Sequence, residues 1–121
     1  MLLEEMSAPR LIPHCLQHAY LPVSADGAIP VRGGVVVITK GSAAALTLAA
    51  PVAGDTDDGK VLQIVSTTAF AHTVTNSSPG FNSNGASSDV ATFGAAKGNT
   101  LTLMAYGGAW YVVGSVGVTL G

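Results

Sequence analysis

Residues 98–113 read GNTLTLMAYGGAWYVV, and this stretch decides the fold class. From Thr100 to Tyr106 the side chains alternate, with Leu101 and Leu103 sharing one face, the period of two that a half-buried strand requires. Gly107-Gly108 then supplies a compact hairpin turn, because glycine reaches the positive φ angles that such turns need. The chain returns as a second strand through Trp110–Val113.

The same alternation recurs upstream. Residues 35–39 are β-branched throughout and apolar on both faces, which predicts a strand covered on both sides. Over residues 45–49, Leu46 and Leu48 oppose Thr47, and Pro51 closes that strand or confines it to an edge. Residues 55–59, DTDDG, read as a turn, and over residues 61–66 Leu62 and Ile64 oppose Gln63 and Val65. Phe70, His72 and Val74 alternate with Ala71, Thr73 and Thr75, predicting a further strand. Residues 76–88, NSSPGFNSNGASS, are uncharged and rich in turn formers, and read as a long loop. Short strands are expected at 89–93 and 116–120. No segment has a useful helical period. The absence of a strict internal repeat argues against a solenoid. The expectation is an all-β chain, a small antiparallel β-barrel or sandwich over residues 34–121.

Residues 1–33 differ. They hold Pro9, Pro13, Pro22 and Pro30 together with the apolar Leu2, Leu3, Leu11, Ile12, Leu16, Tyr20, Leu21 and Val23. Proline removes a backbone donor and restricts the residue before it, so this spacing opposes a long helix or a central strand. An extended N-terminal arm over 1–33 that packs its apolar side chains on a partner surface is expected, and packing across its own sheets is the alternative.

Composition narrows the function. Charged residues are 10% of the 121, against roughly 25% in ordinary soluble domains. From Val61 to Gly121 the charged residues are Asp89 and Lys97 alone. A small domain has much surface for its volume, so such a chain must cover itself with neutral groups or lie against other subunits. A net charge of −2 with scattered basic residues offers nucleic acid no footprint. No stretch reaches the ~18 apolar residues of a membrane helix. Glu4 and Glu5 stand where a secretory leader would be basic, and the single cysteine, Cys15, excludes an internal disulfide.

Chemistry-bearing residues have plain alternatives. Asp55, Asp57 and Asp58 cluster as calcium ligands do, yet lack the rest of an EF-hand loop, and Asp-Gly also serves a tight turn. His14 and His18 have helical metal-ligand spacing around Cys15, without a third ligand in view. His72, between Phe70 and Val74, reads as a hydrogen-bonded core or interface histidine before it reads as a base. No serine sits in GxSxG and no glycine run cradles a phosphate, so the chain is read as no enzyme, with no cofactor and no metal. Tyr106, Trp110 and Tyr111 flank the hairpin turn, where they either anchor core and subunit contacts or stack on sugars.

The "LTLAAP" strand, the acidic "DDGK" turn, the "AHTVT" strand and the "GNTLTLMAYGGAWYVV" hairpin, spanning residues 38–113, resemble tailed-phage head-decoration (capsid cement) proteins and the related β-rich domains of head and tail fibres. The resemblance implies a homotrimer on the outer surface of a virion shell. Its partner would be the major capsid protein or another shell protein, with no chemistry performed. Residues 1–32 fall outside the resembling pattern. The expected capsid-binding arm residues are Leu11, Ile12, Leu16, Tyr20, Leu21 and Val23. The expected oligomer contacts are Val35, Val37, Phe70, Val74 and Trp110. The alternative is a fibre or tail-associated module that recognises glycans through Tyr106, Trp110 and Tyr111, or another virion protein.

Overall fold

The computed structural model describes residues 20–121. Among them the chain is all-β: β1 (Tyr20–Val23), β2 (Gly27–Ile29), β3 (Gly34–Ile38), β4 (Ala45–Leu48), β5 (Val61–Ser66), β6 (Thr73–Thr75), β7 (Phe81–Ser83), β8 (Ala86–Ser88), β9 (Val90–Phe93), β10 (Thr100–Tyr106), β11 (Ala109–Val116) and β12 (Val118–Leu120). They form a seven-stranded sheet in the order β1-β3-β5-β10-β11-β7-β8 and a five-stranded sheet in the order β12-β9-β6-β4-β2.

Alternation along each strand turns one face of each sheet inward, and the two inner faces share one core. Val36, Ile38, Leu62, Ile64, Leu101 and Leu103 come from the larger sheet, and Leu46, Leu48, Val74, Ala91 and Phe93 from the smaller. All are essentially inaccessible to solvent. Burying a side chain of this size stabilises by about 1.5–3 kcal/mol relative to leaving it exposed. Trp110 is wholly buried, and its indole N–H donates to the Ala49 carbonyl (2.9 Å), so the largest core side chain keeps its one donor satisfied.

The pairing is mixed rather than uniformly antiparallel. β1, β3 and β5 run parallel in the larger sheet, and β2, β4 and β6 run parallel in the smaller. The first six strands therefore change sheet at every step, each laid beside the strand two before it. A parallel neighbour needs a crossover; here the crossover is a strand of the facing sheet instead of a helix. Antiparallel pairing begins with the β7–β8 hairpin and with β9 on β6, and β10 continues it, joining β5 on one side and β11 on the other. Side-chain alternation is the same in both pairings, which is why it could not tell them apart. The coil-like winding leaves no repeat in the sequence because its turns differ in length: Tyr20 pairs Val35, and Val35 pairs Gln63.

Two boundaries shift. The arm was expected to reach residue 33, but β1 and β2 are already sheet strands, so the β-domain includes residues 20–33. Pro22 fits because β1 is an edge strand, and Pro30 follows β2, also an edge. Within residues 76–88 the chain forms the β7–β8 hairpin instead of a loop. Its turn is Asn84-Gly85, with φ of 51° and 82°, and Phe81 anchors it in the core. Asn-Gly is the strongest short hairpin signal, and it was present in the sequence.

The chain passes from the larger sheet to the smaller at Gly117, between β11 and β12. Gly117 has φ +67°, its carbonyl accepts the Gly94 N–H (2.8 Å), and a Cβ there would collide with the Asn99 side chain. Asn99 is held in place by its own bond to the Gly94 carbonyl (2.9 Å) and has little room to yield. Gly117→Ala is expected to lower unfolding stability by about 2 kcal/mol or more. Gly114→Ala, whose Cβ meets nothing within 4 Å, should change it far less. Urea unfolding of the two variants checks both.

Candidate functional site

Outward side chains of the larger sheet fall into registered rows. Pro22, Val37, Val65, Thr100 and Val116 lie side by side across β1, β3, β5, β10 and β11. A second row runs Tyr20, Val35, Gln63 and Thr102, and a third runs Val61, Met104 and Tyr111. None of these five strands contains a charged residue. Tyr20, Val61, Val113 and Val116 are each about half exposed or more. Val113 stands at a bulge, where the β10–β11 register shifts between Thr102 and Leu103. At ~4.8 Å between strands and ~6.6 Å between outward residues, the face covers roughly 400 Å², within the range that marks functional patches on small proteins.

The other outer surface is different in kind. Across the smaller sheet, Thr47 lies opposite Thr75, and Thr73 opposite Thr92, which lies opposite Thr119. Threonine suits a strand and presents a hydroxyl to water. One side of the molecule is thus hydrated by hydroxyls, and the other is uncharged and mainly apolar, with Gln63, Thr100 and Thr102 as its polar positions.

Of the expected contact residues, Val35 and Val37 lie on the apolar face, half-buried. Val74 and Trp110 do not: both are fully buried between the sheets and cannot touch a second subunit. Phe70 is more than a third exposed but belongs to the β5–β6 connection, where its ring meets His72 edge-on at 6.3 Å, so the strand expected over residues 70–75 is only β6. Of the expected arm residues, Leu21 and Val23 turn inward and pack on the protein's own core, opposite Val36 and Ile38. Tyr20 points the other way, onto the outer face. Leu11, Ile12 and Leu16 lie outside the described residues, as do His14, Cys15 and His18.

The acidic turn works as a set of backbone ties. Asp57 is buried and accepts the Val52 N–H (2.6 Å) and the Lys60 ammonium (2.6 Å). Those bonds, the Lys60 one foremost, hold its carboxyl below the usual range. Asp58 accepts the Gly107 N–H (2.9 Å) and so pins the β10–β11 turn, where Gly107 and Gly108 both have positive φ. With Asp57 and Asp58 engaged and Asp55 exposed, the three carboxylates do not converge, and no group of three metal-ligating side chains occurs among the described residues.

Two clefts flank the core. One, about 490 Å³, lies at an end of the smaller sheet, lined by residues that include Pro30, Thr47, Ala50, Thr75 and Asn76. Asn76 accepts the Ser78 and Gly80 N–H groups. Its own Nδ2 is buried without a partner among the described residues. The other, about 360 Å³, opens between Tyr111 and Val112 of β11 and the β7–β8 hairpin.

His72 is fully buried, and its protonation state follows from its neighbours. Thr68 Oγ1 donates to the Lys40 carbonyl (2.7 Å), so it can only accept from His72 Nε2–H (2.9 Å). His72 Nδ1 accepts the Ala44 N–H (3.0 Å) and must be unprotonated. The imidazole is neutral and both nitrogens are spent, so it has no capacity left to act as a base. Burial, chiefly, pushes its pKa below 6.5. A depressed folded-state pKa means that this stability is complete above the unfolded value of 6.5 and is lost as pH falls from there towards the folded value. Thermal melts should therefore begin to drop as pH falls below about 6.5, ahead of any carboxylate titration. In His72→Gln, less stable at neutral pH, that early drop should vanish.

Neither a family model nor a curated protein matches the chain.

Proposed function

We propose that the protein is a structural virion protein that decorates and stabilises a phage capsid as a homotrimer and performs no chemistry. The observation that carries this reading is the charge-free outer face of the larger sheet, on a protein whose opposite face is covered with threonine hydroxyls. A surface that is uncharged and mainly apolar over five adjacent strands, with Gln63, Thr100 and Thr102 as polar members, gains free energy by leaving water, at about 25 cal/mol per Å² of apolar area. Three such faces turned towards a common axis close an apolar prism in which each meets two others, the symmetry of a closed cyclic assembly. Val35 and Val37 sit in this contact, joined by Val61, Val65 and Val116. The resemblance of residues 38–113 to head-decoration proteins supports the same reading. So does the scarcity of charge, since charged groups are depleted in interface cores.

Attachment to the major capsid protein, or to another shell protein, falls to the segment before β1, with Leu11, Ile12 and Leu16 as its apolar contacts. Three arms on one trimer act together, so contacts of modest individual strength give firm attachment. The trimer is assembled in the host cytoplasm and ends on the outer surface of the virion.

Sedimentation equilibrium should give three times the 12.1 kDa subunit mass. Val37→Glu, which places a charge in the first row of the apolar face, should yield folded monomers. A wild-type protein that stays monomeric at high concentration would remove the basis of the reading. Deleting residues 1–19, which leaves β1 intact, should give folded trimers that no longer co-sediment with capsids. Undiminished co-sedimentation would assign attachment to another surface.

A further inference from the structure

We infer that the cleft between β11 and the β7–β8 hairpin is a binding site for a neutral saccharide. It goes beyond the structural role proposed above: Tyr111 ends the third row of that same outer face, so the site requires the trimer contact to leave the Tyr111 end of β11, on the side of the sheet away from β1, uncovered.

The site is built from one registered row. Tyr111 of β11 lies opposite Asn82 of β7, which lies opposite Ser87 of β8. Of these, Tyr111 and Asn82 line the cleft, setting an aromatic ring beside an amide about 5 Å away at the usual strand spacing, while the Ser87 hydroxyl is turned to the Pro79 carbonyl. Ser83 and the turn residues Asn84, Gly85 and Ala86 close the cleft, whose volume is about 360 Å³. This lies at the lower end of the range for small-ligand sites.

The chemistry of this lining selects the ligand class. Tyr111 is 40% exposed, so its ring is open to a partner, whereas Trp110, its neighbour in sequence, is sealed in the core. A sugar presents an apolar ring face that stacks on an aromatic ring, rimmed by hydroxyls that both donate and accept. Asn82 and Asn84 offer paired donors and acceptors, and Ser83 and the Tyr111 hydroxyl add groups of both kinds. Among the described residues, no side-chain hydrogen bond engages Asn82, Ser83, Asn84 or Tyr111, in contrast to Asn76 and Asn99, whose amides are tied to backbone. Those polar groups are available to a ligand. No charged residue lines the cleft, which gives no preference to sialic or uronic acids over neutral sugars.

The hairpin geometry keeps these groups in place. Phe81, opposite Trp110, is fully buried, and the Ser87 hydroxyl donates to the Pro79 carbonyl. The row is thus presented on an anchored hairpin, which lowers the ordering cost of binding. Tyr106, which the sequence grouped with Tyr111, sits at the far end of β10 in the hairpin turn and does not line the cleft.

The test is an amide NMR titration of the full-length protein with maltotriose, cellotriose and chitotriose, and with sialyllactose as the anionic probe. Saturable shifts confined to residues 82–86 and 111–112 are expected with at least one neutral trisaccharide. Tyr111→Ala should weaken binding about ten-fold or more, and Tyr111→Phe should retain most of it. Tyr106→Ala should leave it unchanged. Absence of saturable shifts with all three neutral sugars overturns the proposal, as does binding that survives in Tyr111→Ala, or binding of sialyllactose alone. Repeating the titration on Val37→Glu separates this site from the trimer. Sugar binding by that variant, whatever its oligomeric state, upholds the cleft independently of the assembly reading. Loss of binding with a folded monomer would show that the cleft does not suffice by itself and would overturn the site as drawn.

Discussion

The two sheets share one apolar interior, and most of the structure follows from keeping side chains that enter it either apolar or hydrogen-bonded. A domain of about 100 residues buries only part of the surface its unfolded chain exposes, so the alternation must be kept strand after strand. Where polar side chains do enter the interior, Asn76 Nδ2 alone among the described residues lacks a partner. The Trp110 indole is bonded to Ala49, both nitrogens of His72 are bonded, and Asp57 holds a backbone N–H and a lysine. Two of these polar contacts, Trp110 to Ala49 and His72 to Thr68, also tie together segments that the strand ladder does not join. Trp110 links β11 to the end of β4, and His72 links the β6 entry to the β4 entry and, through Thr68, to the end of β3.

The few charges follow the same logic. Asp26 accepts the Ala45 N–H and pairs with Lys40, which holds the β1–β2 turn against the start of β4. Asp57 and Asp58 secure the connection into β5 and the β10–β11 turn. These carboxylates sit at strand ends, where unpaired backbone N–H groups are exposed, and none stands on a sheet face. Little charge is then left to hydrate the surface. The smaller sheet meets water through threonines, and the larger sheet has no comparable cover over β1, β3, β5, β10 and β11.

Much of this was legible in the sequence. The strands at β3, β4, β5, β10 and β11, the Gly107-Gly108 turn and the inward Leu101 and Leu103 all follow from alternation and turn chemistry. Pairing direction and sheet membership were not legible, because they depend on which distant strand lies alongside. Residues 20–33 were read as arm because prolines weaken a strand, and that argument holds only for strands paired on both sides. Edge position rescues Pro22. Val74 and Trp110 were placed at a contact because an alternating apolar position looks the same whether it faces a partner or a second sheet. The Asn84-Gly85 hairpin signal was present but was masked by the polar residues around it. The Tyr111–Asn82 row could not have been found by spacing, since its members are parallel neighbours 29 positions apart.

The asymmetry between faces and edges bears on how the molecule can associate. Open sheet edges invite pairing with other chains, and proteins limit this with short strands, prolines and bulges. Here the edges are β1, which carries Pro22, and β2, β8 and β12 of three residues each. None offers a long, flat row of free backbone groups. Association by strand addition is disfavoured at all four edges, whereas the outer face of the larger sheet is broad and uncharged. Contacts through that face exchange apolar side chains and no backbone hydrogen bonds, so they can form closed assemblies without seeding an open-ended sheet. A protein short of surface charge that must not aggregate needs this division, with edges made unattractive and stickiness confined to one bounded face.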